Sequence, residues 1–258
     1  MNVLDTFSLR GKVALVTGGA GLYGRQITEA LAQAGARTYI ASRNREQSEK
    51  LADEFRKLGL DVEYAEFDQS DEASIARLER FLFLEVGRVH ILVNNAVLRP
   101  MANWSSPADD FAKSMEANAT GIFMMTRTFG EHMAERGGGS IINIGSIQGS
   151  VGPDFSLYEG LDWETPPDYF FHKGGMLNFS RFAAAKLGSR NVRVNVISPG
   201  GFFANQDPRF VERYKAKTML GRMANSTDLQ GAVVFLASDA STYITGANLF
   251  VDGGYTAM

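Results

Sequence analysis

Apolar residues in this chain fall into short runs of strand character that alternate with longer segments of helical period. The pattern predicts strands at Lys12–Thr17, Arg37–Ala41, Asp61–Ala65, Val89–Asn94, Ser140–Gly145, Val192–Ile197 and Asn248–Val251. It predicts helices at Leu22–Ala34, Glu46–Leu58, Glu72–Leu84, Asp109–Arg136, Pro167–Leu187 and Ser226–Ser238. Runs such as Val13-Ala14-Leu15-Val16 and Ile91-Leu92-Val93 show no polar alternation, as expected of strands covered on both faces. With a helix between most successive strands, the units are βαβ and the crossovers right-handed. The expected fold is α/β: a Rossmann-like, doubly wound parallel sheet of seven strands with helices on both faces, formed by residues 1–258 as one domain. Two stretches escape the rhythm. Ser150–Pro167 carries Gly152, Pro153, Gly160, Pro166 and Pro167, and the connection from Gly200 to about Lys217 is also irregular. Long loops inside a compact domain are usually functional, so both are expected to be substrate loops; a tolerated surface insertion is the alternative for the first.

Composition narrows the field. Lys and Arg number 26 against 29 Asp and Glu, a net charge of −3, which excludes the broad basic footprint of a non-specific nucleic-acid binder. There is no cysteine, so disulfides, thiolate catalysis and Cys-based zinc sites are excluded. His90, His132 and His172 have no metal-ligand spacing, and no metal is expected. No apolar stretch is long enough to span a bilayer, and the first residues do not read as a leader peptide. The expectation is a cytoplasmic protein acting on a small molecule.

The first strand ends in Thr17-Gly18-Gly19-Ala20-Gly21-Leu22-Tyr23-Gly24, and a helix follows. Glycines permit a tight strand-to-helix turn and close approach of the backbone to a pyrophosphate, which the helix amino terminus also attracts. The second strand ends in Ser42 and Arg43, with no carboxylate where NAD-binding folds bond the ribose diol. A guanidinium there suits a 2′-phosphate, so NADP(H) is favoured over NAD(H). The other reading is that Arg43 merely opens the next helix in solvent.

Tyr169 and Lys173 stand i, i+4 on a predicted helix, and therefore on one face. A phenol with a pKa of about 10 is a poor acid–base at neutral pH. An ammonium about 4 Å away favours the phenolate by up to about 4 kcal/mol at an effective dielectric of about 20, less the desolvation of the charged forms. Such a tyrosine can exchange a proton with an alcohol near neutral pH.

The glycine turn, Asn94-Asn95-Ala96, Asn118, Ser146, the Tyr169/Lys173 pair and Ser198-Pro199-Gly200 occur in one order. Together they resemble the classical short-chain dehydrogenase/reductase family, across essentially the whole chain. The resemblance implies a catalytic tetrad: Tyr169 as general acid/base, Ser146 bonding the substrate oxygen, Lys173 on the nicotinamide ribose, and Asn118 holding a relay water. It also implies cofactor contacts from Gly18, Gly21, Leu22, Tyr23, Gly24, Ser42, Arg43, Asp68, Gln69, Asn94 (near the adenosine), Ala96, Tyr169, Lys173, Pro199 and Gly200. By family habit the protein is a homotetramer or homodimer packed through Asp109–Arg136 and Pro167–Leu187. The chain departs from the pattern where Leu22 replaces a glycine, where Ala204 replaces a threonine, and where an insert lengthens the path from Ser146 to Tyr169.

The insert carries Asp154, Tyr158, Glu159, Asp162, Trp163 and Glu164. Aromatic planes and carboxylate acceptors suit a polyhydroxylated molecule, so a sugar, polyol or sugar acid is the expected substrate class, with Gln148, Tyr158 and Trp163 as candidate contacts. Arg99 and Arg209 could meet an anionic group, although isolated arginines are usually solvated. The alternatives are a 3-oxoacyl thioester reductase, a redox-silent NADP-binding regulator, and a Rossmann methyltransferase, which would leave the Tyr/Lys pair without a role.

Overall fold

The computed structural model describes residues 2–257. Seven parallel strands form one sheet: β1 (Val13–Thr17), β2 (Arg37–Ser42), β3 (Val62–Glu66), β4 (Ile91–Asn94), β5 (Gly139–Ile144), β6 (Val192–Pro199) and β7 (Asn248–Val251). Their order is β3-β2-β1-β4-β5-β6-β7. The chain therefore winds outward from β1 in one direction, returns, and winds from β4 in the other. That reversal opens a crevice at the carboxyl ends of β1 and β4, where α/β sheets bind ligands. Each predicted strand is present, displaced by no more than two residues at either end.

The pleat sorts the core. Leu15 of β1 joins Leu92, Ile141, Phe129 and Leu187 on one face, under α3 (Glu72–Val86), α5 (Gly121–Glu135) and α6 (Pro167–Leu187). Its neighbours Ala14 and Val16 join Val93, Ile142, Ile27, Leu31 and Leu236 on the other, under α1 (Leu22–Gln33) and α8 (Gln230–Ala237). The helix α2 (Arg45–Lys57) covers β2 and β3 through Leu51, Ala52 and Phe55.

Three predicted elements differ. The single helix expected over Asp109–Arg136 is α4 (Ala108–Met115), a π turn at Glu116–Thr120, and then α5. The turn admits the loop after β3, because a Cβ on Gly121 would stand 2.3 Å from the carbonyl oxygen of Gln69. The connection after Gly200 holds a regular helix, α7 (Pro208–Ala216), started by Asp207, whose side chain accepts from the Arg209 amide, with Pro208 in the first turn. The last helix is shorter than Ser226–Ser238. Within the insert, Asp154 caps a short 3₁₀ turn at Phe155–Tyr158.

The turn from β1 into α1 tolerates no side chain at Gly24, where a Cβ would meet the Gly18 carbonyl oxygen at 2.1 Å. Gly24→Ala is expected to cost about 1–3 kcal/mol in urea unfolding and to weaken cofactor binding, as read by quenching of protein fluorescence. Wild-type values of both would contradict this turn geometry.

Candidate active site

A cleft of about 1080 Å³ opens at the crevice, larger than the roughly 300–1,000 Å³ usual for one small ligand. At one end it is walled by Gly18, Gly21, Leu22, Tyr23 and Gly24. The amino terminus of α1 has no side-chain cap, so its first amides and the positive end of its dipole are left for an anion. Tyr23 donates to the Gly200 carbonyl at 2.7 Å and so joins this turn to Pro199-Gly200, which also lines the cleft. Burial raises the Tyr23 pKa, which keeps the hydroxyl a neutral donor. An uncapped helix start facing a long cleft fits the pyrophosphate of a dinucleotide.

Beyond it lie Ser42, Arg43, Asp68 and Gln69, all lining the cleft. Ser42 Oγ lies 2.7 Å from Ser48 Oγ and donates to the Asn44 carbonyl, shaping the start of α2. Arg43 Nη1 lies 3.8 Å from Asp68 Oδ2. Burial of Asp68 opposes its ionisation, but hydrogen bonds from Ser70, with Arg43, outweigh it and hold the carboxyl below its ordinary value. Gln69 donates to the carbonyls of Ala117 (2.8 Å) and Ala96 (3.4 Å), which ties the loop after β4 to the π turn at Glu116–Thr120. Asn94 is a correction. It does not line the cleft; it is buried in the sheet, donating to Asn143 Oδ1 (2.8 Å) and Thr126 Oγ1 (3.3 Å). The neighbouring Asn95 faces the cleft and donates to the Thr17 and Gly18 carbonyls.

At the other end Ser146, Tyr169 and Lys173 line the same space. Ser146 caps the turn Ile147–Gly149 by accepting from the Gln148 amide at 3.2 Å, so capping and cleft positions coincide in one residue. Lys173 is 4% exposed and donates from Nζ to the Ile144 carbonyl at 2.5 Å, which binds α6 to the end of β5. Burial, with Arg99 adding to it, pushes the ammonium down to about 7. Burial therefore works against the ammonium that would favour a Tyr169 phenolate. Its Nζ lies 5.6 Å from the centroid of the Tyr169 ring, and the Arg99 guanidinium lies over that ring at 4.9 Å. The Tyr169 hydroxyl has no partner within the described residues. His172 meets the ring edge-on and is held neutral, its pKa pushed down to about 3 by burial and by Lys173 and Arg99.

The side chain of Asn118 does not line the cleft. Its Oδ1 accepts from the Leu98 amide (2.8 Å), and its Nδ2 donates to the Leu98 carbonyl (2.7 Å) and to Ser114 Oγ (3.0 Å). Ser114 in turn bonds the buried Asp168. The Asn118 carboxamide thus clasps the Leu98 loop.

The insert and α7 form one wall. Tyr158, Trp163 and Phe210 pack ring to ring, with centroids 5.0–5.5 Å apart, and all three line the cleft. Gln148 lies beside them, 3.4 Å from Thr165. The acidic residues of the insert do less than expected. Glu159 and Asp162 do not line the cleft, Asp154 is bridged to Lys217 at 2.8 Å, and Glu164 accepts from the Trp104 amide. Arg209 is spent on Asp207 and the Gly160 carbonyl, away from the cleft. Sequence reasoning missed Gln206, Phe210, Tyr214 and Tyr255, which line the cleft. The cap-and-proline start Asp207-Pro208, with Phe210 and Tyr214 one turn apart, was the available signal for two of them.

The chain is similar to known proteins. A family model described as enoyl-(acyl carrier protein) reductase matches residues 21–256. The chain belongs to the short-chain dehydrogenase/reductase family. This dehydrogenase is 37% identical to the D-threitol dehydrogenase of Mycolicibacterium smegmatis, over 97% of its own length and 95% of the relative's. It is 31% identical to the gluconate 5-dehydrogenase of Gluconobacter oxydans, over 98% and 97%. The crystal structure of a gluconate 5-dehydrogenase from Burkholderia cenocepacia in complex with NADP and tartrate matches it with a TM-score of 0.91 and 32% identity over the full length of both chains. Family membership makes the protein an NAD(P)-dependent oxidoreductase acting on CH–OH groups. No helix among the described residues is long and apolar enough to cross a membrane.

Proposed function

We propose that this dehydrogenase interconverts a carbinol and a carbonyl on a sugar, polyol or sugar acid, preferring NADP(H), with Ser146, Tyr169 and Lys173 as the working set. The observation that carries the reading is that these three residues and the uncapped start of α1 line one continuous cleft. The pyrophosphate would lie on Gly18–Gly24, the adenosine end against Ser42, Arg43, Asp68 and Gln69, and the nicotinamide riboside against Ala96, Lys173, Pro199 and Gly200. When bound, nicotinamide gives or takes the hydride at its C4. Ser146 donates to the substrate oxygen and polarises its bond to carbon. Tyr169 gives a proton to that oxygen in reduction and takes one back in oxidation. Lys173, when protonated, favours the phenolate and exchanges a proton behind it. Asn118 holds the cleft floor through Leu98.

Support for the substrate class comes from the aromatic wall of Tyr158, Trp163 and Phe210, and from relatives named for threitol and gluconate. Coupled absorbance of the reduced cofactor across a panel of polyols, sugars and sugar acids tests it; silence across the panel would end the reading. Arg43 supports NADP(H): among the described residues only Asp68, 3.8 Å away, engages its charge, and a 2′-phosphate would give its fork a second partner. Arg43→Ala is expected to raise the KM for NADP(H) about 10- to 100-fold and to leave NAD(H) little changed. Equal affinity of the wild type for both cofactors would exclude the preference. Exposed Phe123 on α5, with Phe171 and Phe182 on α6, supports a homodimer or homotetramer packed through these helices.

A further inference from the structure

Six charged residues line the cleft, and five of them have partners. Arg43 and Asp68 face each other. Asp154 is bridged by Lys217, Glu164 accepts from the Trp104 amide, and Lys173 donates to Ile144. Arg99 differs. It is exposed, and among the described residues its guanidinium makes no ion pair or hydrogen bond; it rests only on the face of Tyr169. Its five N–H donors are free beside the hydroxyl proposed to exchange the proton.

The backbone that carries it is fixed. Both polar groups of Leu98 are clasped by Asn118, at 2.8 and 2.7 Å, and Pro100 follows. A side chain mounted between a clasped residue and a proline loses less freedom on meeting a ligand. The carboxylates around it are already engaged: Asp168 on α6 is buried against Ser114, Glu164 accepts from the Trp104 amide, and Asp154 is bridged to Lys217.

We infer that Arg99 is the specificity-determining anion receptor of this cleft, and that the substrate is a sugar acid whose carboxylate it takes. The inference rests on the proposed oxidoreduction at Tyr169 and narrows its substrate class. A planar guanidinium matches the two oxygens of a carboxylate in a bidentate pair. Seated over the ring whose hydroxyl serves the carbinol, it places the acid group a few carbons from the reacting centre of one open-chain molecule.

The test compares kcat/KM for aldonates and keto-aldonates with kcat/KM for the matching neutral alditols and ketoses, in the wild type, Arg99→Gln and Arg99→Lys. The wild type is expected to favour the acids at least about tenfold, and Arg99→Gln to lower the acid-to-neutral ratio about 10- to 100-fold, chiefly through KM. Arg99→Lys should restore part of the ratio, because the charge remains while the fork is lost. Preference of the wild type for neutral polyols, or a ratio unmoved in Arg99→Gln, would overturn the assignment and leave the oxidoreductase reading standing. Turnover of neither class would instead overturn that reading, and the assignment with it.

Discussion

Tyr169→Phe is expected to lower kcat/KM for carbonyl reduction by about 10²- to 10⁴-fold, the usual contribution of a positioned acid–base group. The substitution removes one oxygen and keeps the ring on which Arg99 rests and against which His172 packs. The fold and the affinity for NADP(H) should therefore stay close to wild type, and the loss should fall on kcat. Activity within about tenfold of wild type would assign proton transfer to another group. A collapse of cofactor affinity would mean that Tyr169 chiefly builds the site.

The second large effect is expected at Lys173. Lys173→Met keeps an unbranched chain but removes the donor to Ile144 and the charge behind Tyr169. A loss of about 10²-fold or more in kcat/KM is expected, with weaker cofactor binding, because the same nitrogen is proposed to reach the nicotinamide ribose. Stability should respond in the opposite sense. The folded-state pKa lies near 7 and the ordinary value is 10.5, so between them the unfolded chain holds a proton that the folded chain lacks. Stability of the wild type should consequently rise with pH from about 7 toward 10.5, and below that window the full cost of burying the charge is present. In Lys173→Met this rise should be missing. Urea midpoints measured across that range check it, and parallel slopes in the two proteins would contradict the burial of a titrating ammonium.

Much of the scaffold was legible because its signals are local. Val13–Val16 and Ile91–Val93 are continuously apolar, and only a strand covered on both faces buries such a run. The glycine turn was visible because backbone crowding at Gly24 leaves no alternative residue. The i, i+4 pair was visible because a helix fixes which side chains share a face. What escaped depends on contacts distant in sequence. The π turn at Glu116–Thr120 interrupts no hydrophobic period and answers to the loop at Gln69. Asn94 and Asn95 are adjacent and chemically identical, and only the pleat decides which meets the sheet interior and which the cleft. The carboxylates of the insert could be counted but not paired, because their partners, Lys217 and the Trp104 amide, lie about 60 residues away or come from another loop. Burial of Lys173, which moves its titration to neutral pH, is likewise a property of the assembled core.

The most direct measurement is the fate of isotope in a single product. The protein is supplied with NADPH carrying two deuteriums at C4 and with a keto-sugar acid, and the alcohol formed is analysed by mass spectrometry. The expected result is one deuterium on the carbinol carbon per turnover, at a rate reduced about 10²- to 10⁴-fold in Tyr169→Phe. Alcohol formed without deuterium, or at an equal rate in Tyr169→Phe, would contradict hydride transfer governed by this tyrosine.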